Sequence, residues 1–185
     1  MVTEQLVLIV EDARGIRTWQ TMLSIVSYCI CRSVIRLVVK ITSVKGPLEG
    51  IGFFKAVKTL LYRYPNATII AAPDTDRYGS KESAKENLIR ELRRYGCKEI
   101  SRIRVLPVVE KLEDVVYSLL EGKPCNCCGP KKLSQLINDK YEKHMMGNRI
   151  PRLLESNRDK ICGNLSKDWI LRSTGLDGLV PLICK

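Results

Sequence analysis

The chain has no long apolar run and has few histidine, tryptophan and phenylalanine residues. Its 185 residues include one histidine, two tryptophans and two phenylalanines. No stretch approaches the ~20 consecutive apolar residues that a membrane-spanning helix needs, so the sequence predicts no membrane partner. The first apolar run, at residues 6–10, lacks the cationic start and cleavage site of a signal peptide, and we expect a cytoplasmic protein.

Two further signatures are missing. The chain has no glycine-rich phosphate loop of the Walker or dinucleotide-binding type, and GPLEGIG at 46–52 predicts only a turn before a helix. Because His144 is the single histidine, no cysteine has an obvious base near it in the sequence, which disfavours a cysteine nucleophile.

A large excess of positive charge is the strongest feature of the composition. The chain has 31 Lys and Arg against 20 Asp and Glu, which gives a net charge of +11. The surplus is spread along the chain and forms no basic tail. Such a charge favours a polyanionic partner, nucleic acid first.

Hydrophobic periodicity alternates between short buried strands and amphipathic helices. An alternating βαβαβαβα order implies a parallel sheet covered by helices, and hence an α/β fold with four parallel strands. Residues 123–185 predict a helical extension without strands, so we expect an α/β domain at 1–122 and a cysteine-containing helical extension at 123–185. The predicted strands are 6–10, 34–44, 69–72 and 103–109, and the predicted helices are 16–26, 51–64, 80–95, 112–120, 131–146, one around Leu153 and one from Asp168.

Acidic side chains follow three of the predicted strands. Glu11 comes directly after the first, and Asp74 and Asp76 come directly after the third, in TIIAAPDTDRYG. Ligands bind outside the carboxyl ends of parallel strands, so these carboxylates are expected at one edge of the sheet. An extended Asp-Thr-Asp segment would point both aspartates to the same side. The acidic residues just past the fourth strand are Glu110, Glu113 and Asp114.

Hard oxygen ligands in this arrangement suit Mg²⁺ or Mn²⁺. The metal would act as a Lewis acid and template on a phosphate group. Glu11 could instead serve as a general acid or base if nearby aspartates raise its pKa. The alternative for the aspartates is a solvated turn, since Asp also favours turns.

Four basic residues lie beside the predicted site in the sequence. As phosphate contacts they would position a nucleic-acid backbone without reading its sequence. The alternative is a solvated basic rim. These residues are Arg14, Arg17, Arg77 and Lys81.

Eight cysteines leave three alternatives open. A cytosolic chain of this size does not need disulfides, with hyperthermophiles as the exception. The cluster Cys125, Cys127 and Cys128 could hold zinc, although it lacks the paired CxxC spacing of most zinc sites. Disulfides or buried thiols are the alternatives. Further candidate ligands for such a zinc ion are Cys162, Cys184 and His144.

At Glu11, Asp74 and Asp76 the chain resembles the Toprim (topoisomerase–primase) domain. That family carries a Glu after its first strand and an Asp-x-Asp after its third, and the counterparts here are LVLIVED and PDTDRYG. The segment PVVEKLEDVVYSLL looks like its equivalent in OLD-type Toprim nucleases and small stand-alone archaeal Toprim proteins. The resemblance covers roughly residues 5–121 and departs at Asp12, where the family usually has glycine.

The resemblance implies Mg²⁺-dependent phosphodiester chemistry on nucleic acid, by a nuclease or a nucleotidyl transferase. It implies catalytic and metal-binding roles for Glu11, Asp74 and Asp76, with Glu113 and Asp114 as further ligands. The alternative is a non-catalytic nucleic-acid-binding or adaptor protein with a degenerate site.

A second resemblance is weaker. LVLIVEDARGIR also looks like the start of a response-regulator receiver domain, which has an acidic pair after its first strand. Asp74 lies further from Glu11 than the receiver's phospho-accepting aspartate usually does. Pro107 and Val108 stand where receivers have a lysine, which also argues against a receiver.

Overall fold

The computed structural model describes residues 5–31, 39–44, 46–108, 111–125 and 129–184. Contacts divide the chain into two compact units. We call Met1–Ala13 with Arg36–Pro107 the α/β unit, and Arg14–Ile35 with Val108–Lys185 the helical unit. Domain bounds of 1–122 and 123–185 stay a prediction.

Four parallel strands form the sheet of the α/β unit, in the order β2-β1-β3-β4. The predicted α/β class, with four parallel strands, flanking helices and C-terminal helices, is confirmed. The strands are β1 (Gln5–Val10), β2 (Val39–Ser43), β3 (Ala67–Ala72) and β4 (Ile103–Val105). The helices, numbered along the whole chain, are α1 (Ile16–Val26) in the helical unit and α2 (Gly50–Arg63) and α3 (Lys81–Arg94) in the α/β unit.

The core of the α/β unit lies between one face of the sheet and helices α2 and α3. Alternate residues of β1 and β3, such as Ile9 and Ile69, pack with Phe53 of α2 and Leu88 of α3. The opposite face of both strands is also buried. Burial on two faces explains why these strands are continuous apolar runs in the sequence.

Cap residues define α3 as predicted. The Ser80 hydroxyl accepts a hydrogen bond from the Ser83 N–H at 3.0 Å, and this satisfies a free amide of the first turn. Gly96, just past the helix, has φ of +77°, a conformation that favours glycine. Both predicted ends of the helix are therefore confirmed.

Two predicted strands differ from the observed ones. β4 ends at Val105, whereas the sequence predicted a strand to Val109. The Leu106 N–H still donates to the Ala71 carbonyl at 2.8 Å, but Pro107 has no N–H and interrupts the ladder before a single bridge residue at Val108. Of the second predicted strand, 39–43 is confirmed, and residues 34–38 lie outside the described residues, as does Val109.

The helical unit contains α1 and all helices after β4. The predicted single helix at 131–146 is wrong, because the helix ends at Leu136 and Asn138 adopts a left-handed φ of +50°. A short 3₁₀ turn follows at Lys143–Gly147. The helices are α4 (Leu112–Glu121), α5 (Gly129–Leu136), α6 (Arg149–Ser156), α7 (Arg158–Leu165), α8 (Asp168–Thr174) and α9 (Val180–Ile183).

Two disulfides join distant parts of the helical unit. Cys29 bonds to Cys162 and Cys31 bonds to Cys184, so both attach the turn Ser27–Cys31 that follows α1. Cys125 is also disulfide-bonded. Disulfides persist in oxidising compartments and inside hyperthermophiles, so a cytoplasmic location stays a prediction. None of the helices in the described ranges is long and apolar enough to cross a membrane.

Candidate functional site

Strand register places the ends of β1, β2 and β3 at one level of the sheet. Val10 pairs with both Ser43 and Ala72, so Glu11 follows β1 beside the point where Asp74 follows β3. The chain runs from β1 to β2 on one side and reaches β3 on the other, so the strand order reverses between β1 and β3. In open α/β sheets this reversal opens the crevice in which ligands bind.

The Glu11 carboxylate lies against the loop that follows β3. It accepts hydrogen bonds from the backbone N–H of Leu48, at 3.5 Å, and from the backbone N–H of Asp74. Burial raises the pKa of Glu11, and the negative charge of Asp76 acts in the same direction. The two amides and the positive charge of Arg77 oppose that rise. The fold thus brings Glu11 together with the Asp74–Arg77 turn.

The Asp-Thr-Asp segment is not extended, so the condition under which both carboxylates would point to one side is not met. Asp74 keeps an extended backbone with φ −69° and ψ 136°, but Thr75–Arg77 forms a 3₁₀ turn. Because strand alternation ends at Asp74, it does not set the direction of Asp76. Thr75 is buried, Asp74 is half-buried and Asp76 is exposed.

The four predicted phosphate contacts divide between the two units. Arg77 is exposed, and its Nη1 lies 3.8 Å from Glu49 Oε1. An exposed pair at this distance contributes little stability, so Arg77 is available to a ligand at small cost. Lys81 begins α3 in the same unit. Arg14 and Arg17 are exposed residues of the helical unit.

Tyr78 is a site residue that sequence reasoning missed. Burial raises its pKa to about 12, and the charges of Glu49, Glu11 and Glu91 act in the same direction against that of Arg77. Its hydroxyl is inaccessible to solvent and has no hydrogen-bond partner within the described ranges. No pattern in the sequence indicates this, because burial of one atom depends on how the turn packs. Tyr78 is a neutral phenol among carboxylates at neutral pH.

Glu113 and Asp114 make interior hydrogen bonds within the helical unit. Glu113 Oε1 accepts from the Tyr141 hydroxyl at 2.9 Å, and Asp114 Oδ1 accepts from the Gly129 N–H at 2.7 Å. Cys125 Sγ lies 3.1 Å from the same Asp114 oxygen, as a contact only, because a disulfide sulfur has no proton to donate. These bonds support a structural role, while the predicted metal role stays a prediction.

A divalent ion would find fewer ligands than the sequence predicted. Among the residues that the structure describes, no group of three or more His, Cys, Asp or Glu is arranged to hold a metal. Mg²⁺ commonly uses only one or two protein carboxylates and keeps several waters. Glu11 with one aspartate of the turn fits that donor set. Glu110, another predicted acidic neighbour, lies outside the described residues.

The prediction that Cys162 and Cys184 could be further zinc ligands is wrong. Cys162 and Cys184 are disulfide-bonded and therefore supply no thiolate. Cys125 is likewise bonded, and His144 is exposed beside Glu142. The remaining two predicted ligands, Cys127 and Cys128, lie outside the described residues.

We compared the chain with protein-family models, curated proteins and solved structures, and none of them matches it. The Toprim resemblance therefore rests on the residues of this chain, and membership of that family stays a prediction.

Proposed function

We propose that the α/β unit performs metal-dependent phosphodiester chemistry on nucleic acid, as a Toprim-like nuclease or nucleotidyl transferase. One observation carries the proposal: the Glu11 carboxylate lies at the β1–β3 reversal, within electrostatic reach of Asp76 and Arg77. Acidic and basic groups at such a crevice suit a phosphate held through a cation. The net charge of +11 supports a polyanionic substrate.

Glu11, with Asp74 or Asp76, would hold the Mg²⁺ or Mn²⁺ ion. The bound ion would supply Lewis-acid activation and neutralise charge that develops on the phosphate. The exposed position of Asp76 leaves the waters that Mg²⁺ retains in contact with solvent. Arg77 would bind a phosphate oxygen and orient the backbone.

Glu11 has a second capability in this proposal. Because burial raises its pKa, the carboxylate holds a proton more readily than an exposed glutamate does. A carboxyl group of this kind can transfer a proton to or from a reacting oxygen. Asp12 follows Glu11 where the family has glycine, and we assign it no role.

The experiment is an assay on labelled single- and double-stranded DNA and RNA, with and without Mg²⁺ or Mn²⁺. Glu11→Gln keeps the size of the side chain but removes its charge, and we expect activity to fall at least about 100-fold, as for loss of an acid–base group. Glu86→Gln, the same change at an exposed residue of α3, should leave activity unchanged. Cleavage by Glu11→Gln at the wild-type rate would contradict the catalytic proposal.

A non-catalytic nucleic-acid-binding protein is the second candidate. It is favoured by the lack of a three-ligand metal group among the described side chains and by the backbone amides that hold Glu11. This candidate predicts binding that weakens steeply with salt, as phosphate contacts do, and that is unchanged by EDTA. It also predicts no turnover with any of the four substrates.

A further inference from the structure

Helix α2 carries only basic charge and an unusually exposed aromatic ring. Its sequence, GIGFFKAVKTLLYR, has Lys55, Lys58 and Arg63 and no acidic residue. All three are exposed, and within the described part of the chain none forms an ion pair. Tyr62 is 90% exposed, the highest value for a large hydrophobic side chain in those residues.

Helical geometry gathers Lys55, Lys58 and Tyr62 on one line, and leaves Arg63 off it. At about 100° per residue, Ile51, Lys55, Lys58 and Tyr62 fall within roughly 60° of one another around the helix axis. We call these four residues the outer stripe. It extends roughly 16 Å at 1.5 Å per residue.

The buried side of α2 fixes the direction of the outer stripe. Phe53, Val57, Leu60 and Leu61 are buried in the core of the α/β unit, and their positions lie opposite the stripe around the axis. The helix cannot turn without exposing this core face. The outer stripe therefore presents its ring and its cations to solvent in a fixed order.

The chemistry of the outer stripe selects one class of partner. Surfaces that bind single-stranded nucleic acid combine aromatic rings, on which bases stack, with cations that follow the phosphates. A duplex has its bases already stacked on each other and offers no free face to Tyr62. A second copy of the chain would bring like charges at Lys55 and Lys58 together, which disfavours self-association.

We propose that the outer stripe of α2 binds single-stranded nucleic acid, with Tyr62 stacked on a base and Lys55 and Lys58 on phosphates. This names a binding surface for the substrate class of the proposed function. It rests on the proposed function only in taking nucleic acid as the polyanion that is bound, since binding at this surface requires neither Glu11 nor a metal.

The test is equilibrium binding of a fluorescent single-stranded oligonucleotide to the full chain in EDTA, at several salt concentrations. Tyr62→Ala should weaken binding about 5- to 150-fold, the range for loss of one stacked base. Tyr62→Phe keeps the ring and should bind as the wild type does. Because Tyr62 is exposed, neither change threatens the fold.

The cations are tested by salt dependence. Removing both Lys55 and Lys58 should reduce the slope of log K against log salt by about 1.4, at about 0.7 per single-strand phosphate contact. Lys85→Ala is the matched control. Lys85 is an exposed lysine on α3, a helix that has five basic and three acidic residues. Lys58→Ala should weaken binding more than Lys85→Ala does.

Three results would overturn the proposal. Equal binding by wild type and Tyr62→Ala would show that no base stacks on Tyr62. Equal loss of affinity in Lys58→Ala and Lys85→Ala would show that the nucleic acid responds to the overall charge of the protein and not to the outer stripe. A dimer that Tyr62→Ala dissociates would assign the stripe to a second copy instead. Normal binding by Glu11→Gln would support this surface, and loss of turnover in the same variant would support the catalytic proposal, so the failure of one proposal can be told from the failure of the other.

Discussion

Removing the two described disulfides should destabilise the protein by more than the sum of removing each alone. The bonds Cys29–Cys162 and Cys31–Cys184 span 133 and 153 residues. In the loop-entropy account, either bond alone closes a loop worth about 5 kcal/mol of unfolding free energy. The second bond then closes a much shorter path, because 29 and 31 are neighbours in sequence.

The size of the difference follows from that shorter path. With one bond in place, the second encloses roughly 24 residues, which contributes about 3.5 kcal/mol. Replacing one cysteine pair by serines should therefore cost about 3.5 kcal/mol, and replacing both pairs about 8.5 kcal/mol. That total is a large part of the ~5–15 kcal/mol by which native proteins are stable.

The assay is urea unfolding of three variants: Cys29→Ser with Cys162→Ser, Cys31→Ser with Cys184→Ser, and all four together. Replacement in pairs creates no new unpaired thiol. Cys97→Ser is the control, since Cys97 is a free thiol and its loss should cost less than about 1 kcal/mol. A four-serine variant no less stable than either pair variant would refute the reasoning, as would a pair variant that costs nothing.

Three further predictions concern single residues. Tyr78→Phe should leave stability unchanged or raise it by about 1 kcal/mol in urea unfolding, because it removes a buried hydroxyl without a partner in the described residues; a loss would show that the hydroxyl is bonded. The pKa of Glu11 is raised on folding, so its ionisation should lower stability as pH rises from ~4.5 through the folded pKa. Glu11→Gln should therefore be more stable than wild type at pH 7 and lack this fall, and a lower melting temperature would contradict it. Gly129→Ala should lower the free energy of unfolding by about 1–3 kcal/mol or more, because its Cβ would lie 2.5 Å from the Glu113 backbone. Gly163→Ala in α7, where the Cβ would meet open space, should raise the free energy of unfolding by up to ~1 kcal/mol. Equal melting temperatures for these two alanine variants would contradict the packing of α4 and α5.

Local sequence signals predicted most of the α/β unit. Strand β3 and helix α3 were found because their apolar pattern, the Ser80 cap and the Gly96 stop all agree. β4 was predicted too long, because VLPVV is apolar throughout and only Pro107 marks where the strand is interrupted. The helix at 131–146 was predicted whole because its left-handed break at Asn138 has no glycine or proline to announce it.

The candidate site was predictable in part. Strand ends at one edge of a parallel sheet bring Glu11 to the Asp74–Arg77 turn, and the sequence carried that information. The direction of Asp76 was not predictable, because it depends on a 3₁₀ turn rather than on strand alternation. The disulfide partners of Cys29 and Cys31 were also beyond reach, since pairing over more than a hundred residues follows from tertiary packing.

The raised pKa of Glu11 bears on both candidate functions, the metal-dependent enzyme and the non-catalytic binding protein. Burial makes the Glu11 carboxylate costly to ionise in the folded protein, and a bound cation would offset that cost. A purely structural glutamate at this position would be better replaced by a neutral residue. The response of Glu11 to cations therefore separates a metal site from an acidic turn.

The melting temperature of the protein during titration with Mn²⁺ tests the central claim most directly. Saturation at 100 times the Kd should add about 2.7 kcal/mol, or roughly 5–10 °C, to the wild type and to Glu86→Gln. Glu11→Gln should show little or no rise. A wild type that Mn²⁺ does not stabilise, or a Glu11→Gln variant that rises equally, would contradict a cation held between Glu11 and the Asp74–Arg77 turn.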